Sequence, residues 1–309
     1  MAGVDSHLHY IYIAARPHSG TTLLSKCLNS QPSVLNLGEF KHFASYVGEN
    51  KKCGCGKPLQ GCKFWGEVLE NEGISPRGVS DATPTDGVRG DAVWVNRLYH
   101  LALLCPPLLR AWGAYENSLA ARNLQRARNH WSFARAAAKV ESAEVLVDKS
   151  MSISRFLELY RTRPPDVQMS LLHLVRDGRG NAHSMSRRTG HSIERVARKW
   201  KWANLAVELI KFVLPLVSTQ TLRYEELCRS PRLTCERALG PVDVSARSHP
   251  SPDAEKDHGI GGNSGSFQGY ESIRLDERWK RQLSDRNLRQ FNDVAGWLNH
   301  QYGYHQSSR

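Results

Sequence analysis

The chain has 309 residues, 40% hydrophobic and 23% charged, a globular balance that excludes a disordered or collagen-like polymer. Its net charge of +12 and pI near 9.5 favour an anionic partner: nucleic acid, a membrane surface, or a small molecule bearing phosphate or sulfate. The longest apolar stretches, 98–112 and 205–217, are broken by Pro, Lys, Arg or Glu and fall short of the ~20 residues a bilayer-crossing helix needs.

In chain order, the first strand candidate is HYIYIA (9–14), followed by a helix opening at TTLLSKCLNS with Leu23, Leu24, Cys27 and Leu28 on one face. VLNL (34–37) is read as a second strand. Residues 75–90, rich in Gly, Pro, Ser, Thr and Asp, read as a surface loop. The span 91–139 reads as helical and carries Arg122, Arg126, Arg128, Arg135 and Lys139. It is expected to be an insertion over the sheet, beside the acceptor site of one domain covering 1–309. Such a basic series more often forms a solvated face than a binding stripe.

Further strands are expected at EVLVD (144–148), SLLHLV (170–175) and STQTLRY (218–224), with helices at 152–160, 194–214 and 285–300. Short apolar strands alternating with helices indicate an α/β fold, a central parallel β-sheet flanked by helices. A long stretch without periodicity, 245–269, is a candidate functional loop. No basic-then-apolar leader opens the chain; HYIYIAA leads straight into a loop, so a soluble, cytoplasmic protein is expected.

That loop is HSGTT, His18 to Thr22. At the N-terminus of a helix, backbone N–H groups and the helix dipole attract an anion. Gly20 lets the backbone come close, and Ser19, Thr21 and Thr22 supply hydroxyls. A nucleotide triphosphate loop requires G-x-x-x-x-G-K-[ST]; ARPHSGTT keeps the length but lacks the first glycine and the lysine. The loop is therefore suited to an anion other than a metal-bound triphosphate. The bland alternative is a tight turn.

A second block is LLHLVRDGRGNAHSMSRR (171–188). Arg176 ends an apolar strand, where open α/β sheets place their ligands. Ser184 lies eight residues on, in a helix expected to begin near Gly180. Guanidinium and hydroxyl could close on one phosphate from two sides. Alternatively Arg176 and Asp177 form a structural ion pair.

Together, HSGTT and LVRDGR…S resemble the sulfotransferases that use 3′-phosphoadenosine 5′-phosphosulfate (PAPS). GE at 38–39, VDKS at 147–150, LRYEEL at 222–227 and DERW at 276–279 fit as well. The 5′ loop and the GE segment are similar to those of tyrosylprotein sulfotransferases. The resemblance implies a P-loop NTPase-like three-layer sandwich and metal-free sulfuryl transfer to a hydroxyl or amine, with 3′-phosphoadenosine 5′-phosphate (PAP) as product. It implies that Ser19, Gly20, Thr21 and Thr22 hold the 5′-phosphosulfate, and that Arg176 and Ser184 hold the 3′-phosphate.

Family members usually carry Lys or Arg just before S-G-T-T, where this chain has His18. Protonated His18 would supply that charge in a pH-dependent way, and Arg16 is the substitute. The expected base is Glu39, with His42 in reserve; the bland reading of Glu39 is a helix N-terminal acid. Lys149 would steady the transferring group, or else Asp148 or Ser150 merely caps the next helix. HGIGGNSGSF (258–267) resembles the segment that wraps the cofactor, giving Gly262 and Asn263 as contacts, with Arg274 replacing a missing charge.

The acceptor is expected to be a small molecule, glycan or peptide, and nucleic acid is not expected as a partner. The rival readings are a P-loop kinase or NTPase and a non-enzymatic polyanion binder. Seven cysteines, an odd number, argue against a secreted disulfide framework. Three of them, Cys53, Cys55 and Cys62, follow C-x-C-x6-C. They would make a zinc site only if a fourth ligand approached. A local disulfide and inert thiols under Phe64 and Trp65 are the other readings, the last slightly favoured.

Overall fold

The computed structural model describes residues 8–71, 102–114, 119–240, 242, 257–261 and 272–305. At its centre, LHYIYIAA forms β1 (Leu8–Ala15), buried at every position. A strand covered on both faces reads as a nearly unbroken apolar run, as interior strands of parallel sheets do. β2 (Val34–Gly38), β3 (Val145–Asp148), β4 (Val167–Val175) and β5 (Ser218–Arg223) complete a five-stranded sheet. Its order is β2-β3-β1-β4-β5, and every pairing is parallel.

Successive side chains of β1 point to opposite faces. Tyr10, Tyr12 and Ala14 join Phe40, Phe43, Trp65, Phe133 and Phe156 in one core. Ile11, Ile13 and Ala15 join Leu24, Cys27, Leu28 and Leu222 in the other. The first core is covered by α3 (Lys63–Asn71), α5 (Leu119–Glu141) and α6 (Ile153–Thr162). The second is covered by α1 (Thr21–Asn29) and, further on, by α9 (Tyr224–Arg229) and α10 (Pro231–Leu239). Helix, sheet and helix thus form the three layers expected. Two shorter helices, α2 (Phe43–Gly48) and α4 (Pro106–Gly113), lie between β2 and α5 in sequence. Of the 91–139 span, 91–101 and 115–118 lie outside the described residues.

A third apolar cluster gathers Val175, Trp200, Trp279 and Phe291 where β4 ends. It packs α7 (Gly178–Thr189), α8 (Ile193–Val213), α11 (Trp279–Gln282) and α12 (Asp285–Gln301) together. This cluster holds the start of α7, and with it Arg176, in a fixed place. Among the described residues no helix is long and apolar enough to cross a membrane.

Three local expectations are corrected. Neither Asp148 nor Ser150 caps α6; Ser152 does, accepting from Arg155 N at 3.4 Å. Asp148 is occupied elsewhere: it accepts from the Tyr10 hydroxyl at 2.8 Å and from the Ser150 amide at 2.8 Å, and faces Arg155 at 3.5 Å. The Arg176–Asp177 pair does not form, because Asp177 caps α7 and pairs with Arg179 at 2.7 Å. α7 accordingly begins at Gly178, two residues before the expected start.

Candidate active site

Ala15 is paired with Leu174, so β1 and β4 finish at one level and their following residues meet. Beyond β1 the chain turns at His18, φ 66°, and Gly20, φ 92°. Gly20 is required twice over. A β-carbon there would lie 2.5 Å from the Tyr224 ring, and L-residues rarely adopt its backbone conformation. Gly20 is the N-cap of α1 and no side chain caps that helix, so its first amides remain available to a ligand.

Arg176 links the two blocks. Its Nη1 donates to the His18 carbonyl at 3.0 Å and to Ser184 Oγ at 3.4 Å. Its Nη2 donates to the Asp276 carbonyl at 3.0 Å and to Asp276 Oδ2 at 3.2 Å. The guanidinium lies 4.6 Å from the centre of the Tyr224 ring, a cation–π contact that fixes its plane. Arg278, and secondarily Arg176, holds the Asp276 carboxyl well below the usual carboxylate range. Asn181 completes the support, donating to the Pro17 carbonyl at 2.7 Å and to Ser19 Oγ at 3.3 Å.

Between these pieces lies a cleft of about 700 Å³. Its walls include His18, Gly20, Thr21, Thr22, Arg176 and Ser184, all expected site residues. Among the described residues, six cationic side chains line it, Lys26, Arg176, Arg187, Arg188, Arg274 and Arg278, against the single carboxylate of Asp276. Such a wall concentrates an anion. Ser19 lies behind it, buried, and Arg16 is half-buried, its Nε without a hydrogen-bond partner. Burial, then repulsion from Arg188, Arg176 and Arg16, lowers the His18 pKa below 6.5. His18 is therefore less readily protonated than a free imidazole.

A buried cation, Lys149, reaches a loop hydroxyl. It is 2% exposed, and its ammonium donates to Thr22 Oγ1 and to the Gly261 carbonyl, both at 3.2 Å. Burial lowers its pKa, while Glu39, Asp257 and Asp148 oppose that effect. Glu39 follows β2 immediately. Its amide donates to the Ile260 carbonyl at 2.5 Å, and its Oε2 lies 3.6 Å from His42 Nε2. Gly38, φ 74°, leaves room for this strand-like contact; a β-carbon there would meet the Ile260 backbone at 2.2 Å. Lys149 thus touches the loop through Thr22, Glu39 acts electrostatically on Lys149, and His42 lies beside Glu39. Gly262 and Asn263 lie outside the described residues.

Several wall residues were not singled out from sequence. Lys26 is one turn beyond Thr22 on α1, and Arg187 and Arg188 are one turn beyond Ser184 on α7. Helical spacing of three and four puts each on the face of its expected neighbour, which is the signal that would have found them. Tyr224 had no such signal: it belongs to LRYEEL, but its ring reaches Gly20 and Arg176 only through the fold.

No protein-family model matches the sequence, and neither does any curated protein compared with it. Among solved structures, the sulfotransferase domain from the curacin biosynthetic pathway superposes with a TM-score of 0.53 at 17% identity. That match covers 97% of this chain and 99% of the other. The sulfotransferase domain from the Synechococcus PCC 7002 olefin synthase matches with a TM-score of 0.49 at 14% identity, over 97% and 96% of the two chains. The curacin-pathway likeness is one of fold: the chain has a sulfotransferase fold.

Proposed function

We propose that the protein transfers a sulfuryl group from PAPS to a hydroxyl or amine of a small molecule, glycan or peptide. One observation carries the reading. The anion loop after β1 and the Arg176–Ser184 pair after β4 face a single cationic cleft, and Arg176 hydrogen-bonds to both sides. A donor with charged groups at both ends of one nucleoside fits that arrangement; an anion with one charged end would use only half of it. The shared fold is compatible with this reading.

In the proposed complex, the amides and hydroxyls of Gly20, Thr21 and Thr22 bind the 5′-phosphosulfate at the helix N-terminus. Arg176 and Ser184 bind the 3′-phosphate, with Arg187 and Arg188 adding charge along α7. A bidentate guanidinium–phosphate contact gives geometry as well as energy. Arg176 would then exchange its Asp276 carboxylate bond for phosphate oxygens.

The acceptor oxygen or nitrogen attacks sulfur in line with the bridging oxygen. A new bond to sulfur forms as the bond from sulfur to the bridging oxygen breaks, and PAP leaves with that electron pair. Glu39 takes the acceptor proton as attack proceeds. Lys149 faces the charge that grows on the leaving phosphate, and preorganised charge of this kind is usually a large share of catalysis. Bound phosphosulfate would itself raise the Lys149 pKa and hold it protonated. The same bound charge would act against the lowering of the His18 pKa, and His18 can donate a hydrogen bond in either state. We assign the acceptor side to the described part of the 91–139 segment, because His130 of α5 lies edge-on against Phe40, the residue after Glu39, with centroids 5.0 Å apart.

Thermal shift tests the donor. PAP should raise the melting temperature strongly, ATP with magnesium little, and a screen of acceptors with sulfur-labelled PAPS should yield a labelled product. Stabilisation by ATP–magnesium, or by nucleic acid alone, would overturn the assignment.

A further inference from the structure

The sequence offers three thiols; the fold brings a fourth donor. His258 is 196 residues from Cys62 in the chain, yet its Nδ1 lies 3.4 Å from Cys62 Sγ and 3.7 Å from Cys53 Sγ. Cys55 Sγ lies 3.8 Å from Cys62 Sγ. The four ligand atoms all fall within 4.8 Å of one another. A tetrahedral zinc ion, with bonds of ~2.3 Å to sulfur and ~2.0 Å to nitrogen, requires S–S edges of ~3.8 Å and S–N edges of ~3.5 Å. These three edges agree with those values to about 0.2 Å, and the widest pair, within 4.8 Å, would close by up to about 1 Å around an ion.

The surroundings are also those of a metal site. Lys52 and Pro58 form an antiparallel bridge, and within that turn the Cys53 amide donates to Lys57 O and the Gly56 amide to Cys53 O, each at 2.9 Å. Gly56, φ 85°, makes the turn. The His258 ring stacks on Phe64 with centroids 4.5 Å apart, and its carbonyl accepts from Trp65 Nε1 at 3.0 Å. On its far side, Nε2 faces Glu141 Oε1 at 3.7 Å. A carboxylate behind the second ring nitrogen is the usual support of a metal-bound histidine. A disulfide between two of the thiols would leave the third thiol, the oriented imidazole and this carboxylate without a common purpose.

We propose that Cys53, Cys55, Cys62 and His258 bind one structural zinc ion, which ties the segment Asp257–Gly261 to the β2 side of the sheet. Thiolate and imidazole donors in a tetrahedron suit zinc over harder cations, and four protein ligands leave no open position for catalysis. The tie has a local consequence. The Ile260 and Gly261 carbonyls that it positions are the ones accepting from the Glu39 amide and the Lys149 ammonium. The site is independent of which reaction the cleft performs.

Elemental analysis of the full chain, purified in reducing buffer, should find one zinc per molecule, released to a chromogenic chelator when a mercurial blocks the thiols. Cobalt(II) exchange into the wild-type protein should give thiolate charge-transfer and intense tetrahedral ligand-field bands. Glu141→Gln keeps all four ligands and should weaken metal binding about tenfold or more. Cys55→Ser should remove the metal, whereas Cys105→Ser, an exposed thiol elsewhere, should not. Three freely titrating thiols with no metal and no cobalt spectrum would overturn the proposal. So would an intact mass lighter by one hydrogen pair, the signature of a disulfide. If Cys55→Ser fails to fold, the cobalt spectrum of the wild type still decides.

Discussion

The Arg176 guanidinium donates to the backbone carbonyl of His18 at 3.0 Å, across 158 residues of sequence. The end of β4 therefore holds the turn that follows β1, and a ligand on Arg176 is felt by the loop. Arg176→Ala should weaken PAP binding by roughly 10- to 100-fold, the range for a lost hydrogen bond to a charged group. Titration calorimetry measures this, and an unchanged Kd would remove Arg176 from the 3′-phosphate.

Glu39 is not among the described residues that line the cleft, so replacing it removes no direct contact to a donor bound there. Glu39→Gln should lower turnover by about 10²- to 10⁴-fold, the usual contribution of a positioned base, with the PAP Kd unchanged. Full activity in that variant would move the search to His42, 3.6 Å away.

His18 and Lys149 compete for the role of loop cation, and pH separates them. The His18 pKa is lowered from 6.5, by burial first and by Arg188 next, so His18 holds its proton less well than a free imidazole as pH rises to neutrality. His18→Asn should leave the shape of the kcat/KM profile unchanged above about pH 6.5. Lys149→Ala should cost about 10²- to 10³-fold in kcat, as does the loss of one oxyanion donor. If kcat/KM falls as pH rises through neutrality and that fall disappears with His18→Asn, His18 carries the charge instead.

Gly20→Ala meets two obstacles, the Tyr224 ring at 2.5 Å and a φ of 92°. The backbone part alone is worth about 1–2 kcal/mol. The variant should lose both stability and PAP affinity, and adding Tyr224→Ala should restore only part of the stability. Chemical denaturation of Gly20→Ala, Tyr224→Ala and the double variant measures the split. Complete recovery in the double variant would mean that the backbone conformation costs nothing.

The sheet was legible in the sequence because interior parallel strands are apolar on both faces; all five candidates became strands. Boundaries were less so. β4 begins at Val167 because Val167, Gln168 and Met169 pair with Leu8, His9 and Tyr10, a tertiary reason that exposed Gln168 conceals. The phosphate-loop residues and Arg176 were legible as motifs, while Tyr224 and Asn181 enter only by folding. Asp148 looked like a cap because its competing partners, Tyr10 and Arg155, are remote in sequence or invisible in a local window. The three cysteines lacked a fourth ligand for the same reason: spacing describes neighbours along the chain, and His258 is not one.

The parallel bridge between Gly38 and Ile260 matters beyond the site. β2 is an outermost strand of the sheet, and an uncovered outer strand invites other chains to pair with it. Ile260 takes up the Leu37 carbonyl at 3.0 Å and the Glu39 amide at 2.5 Å, so a short peptide from late in the chain shields that border from self-association.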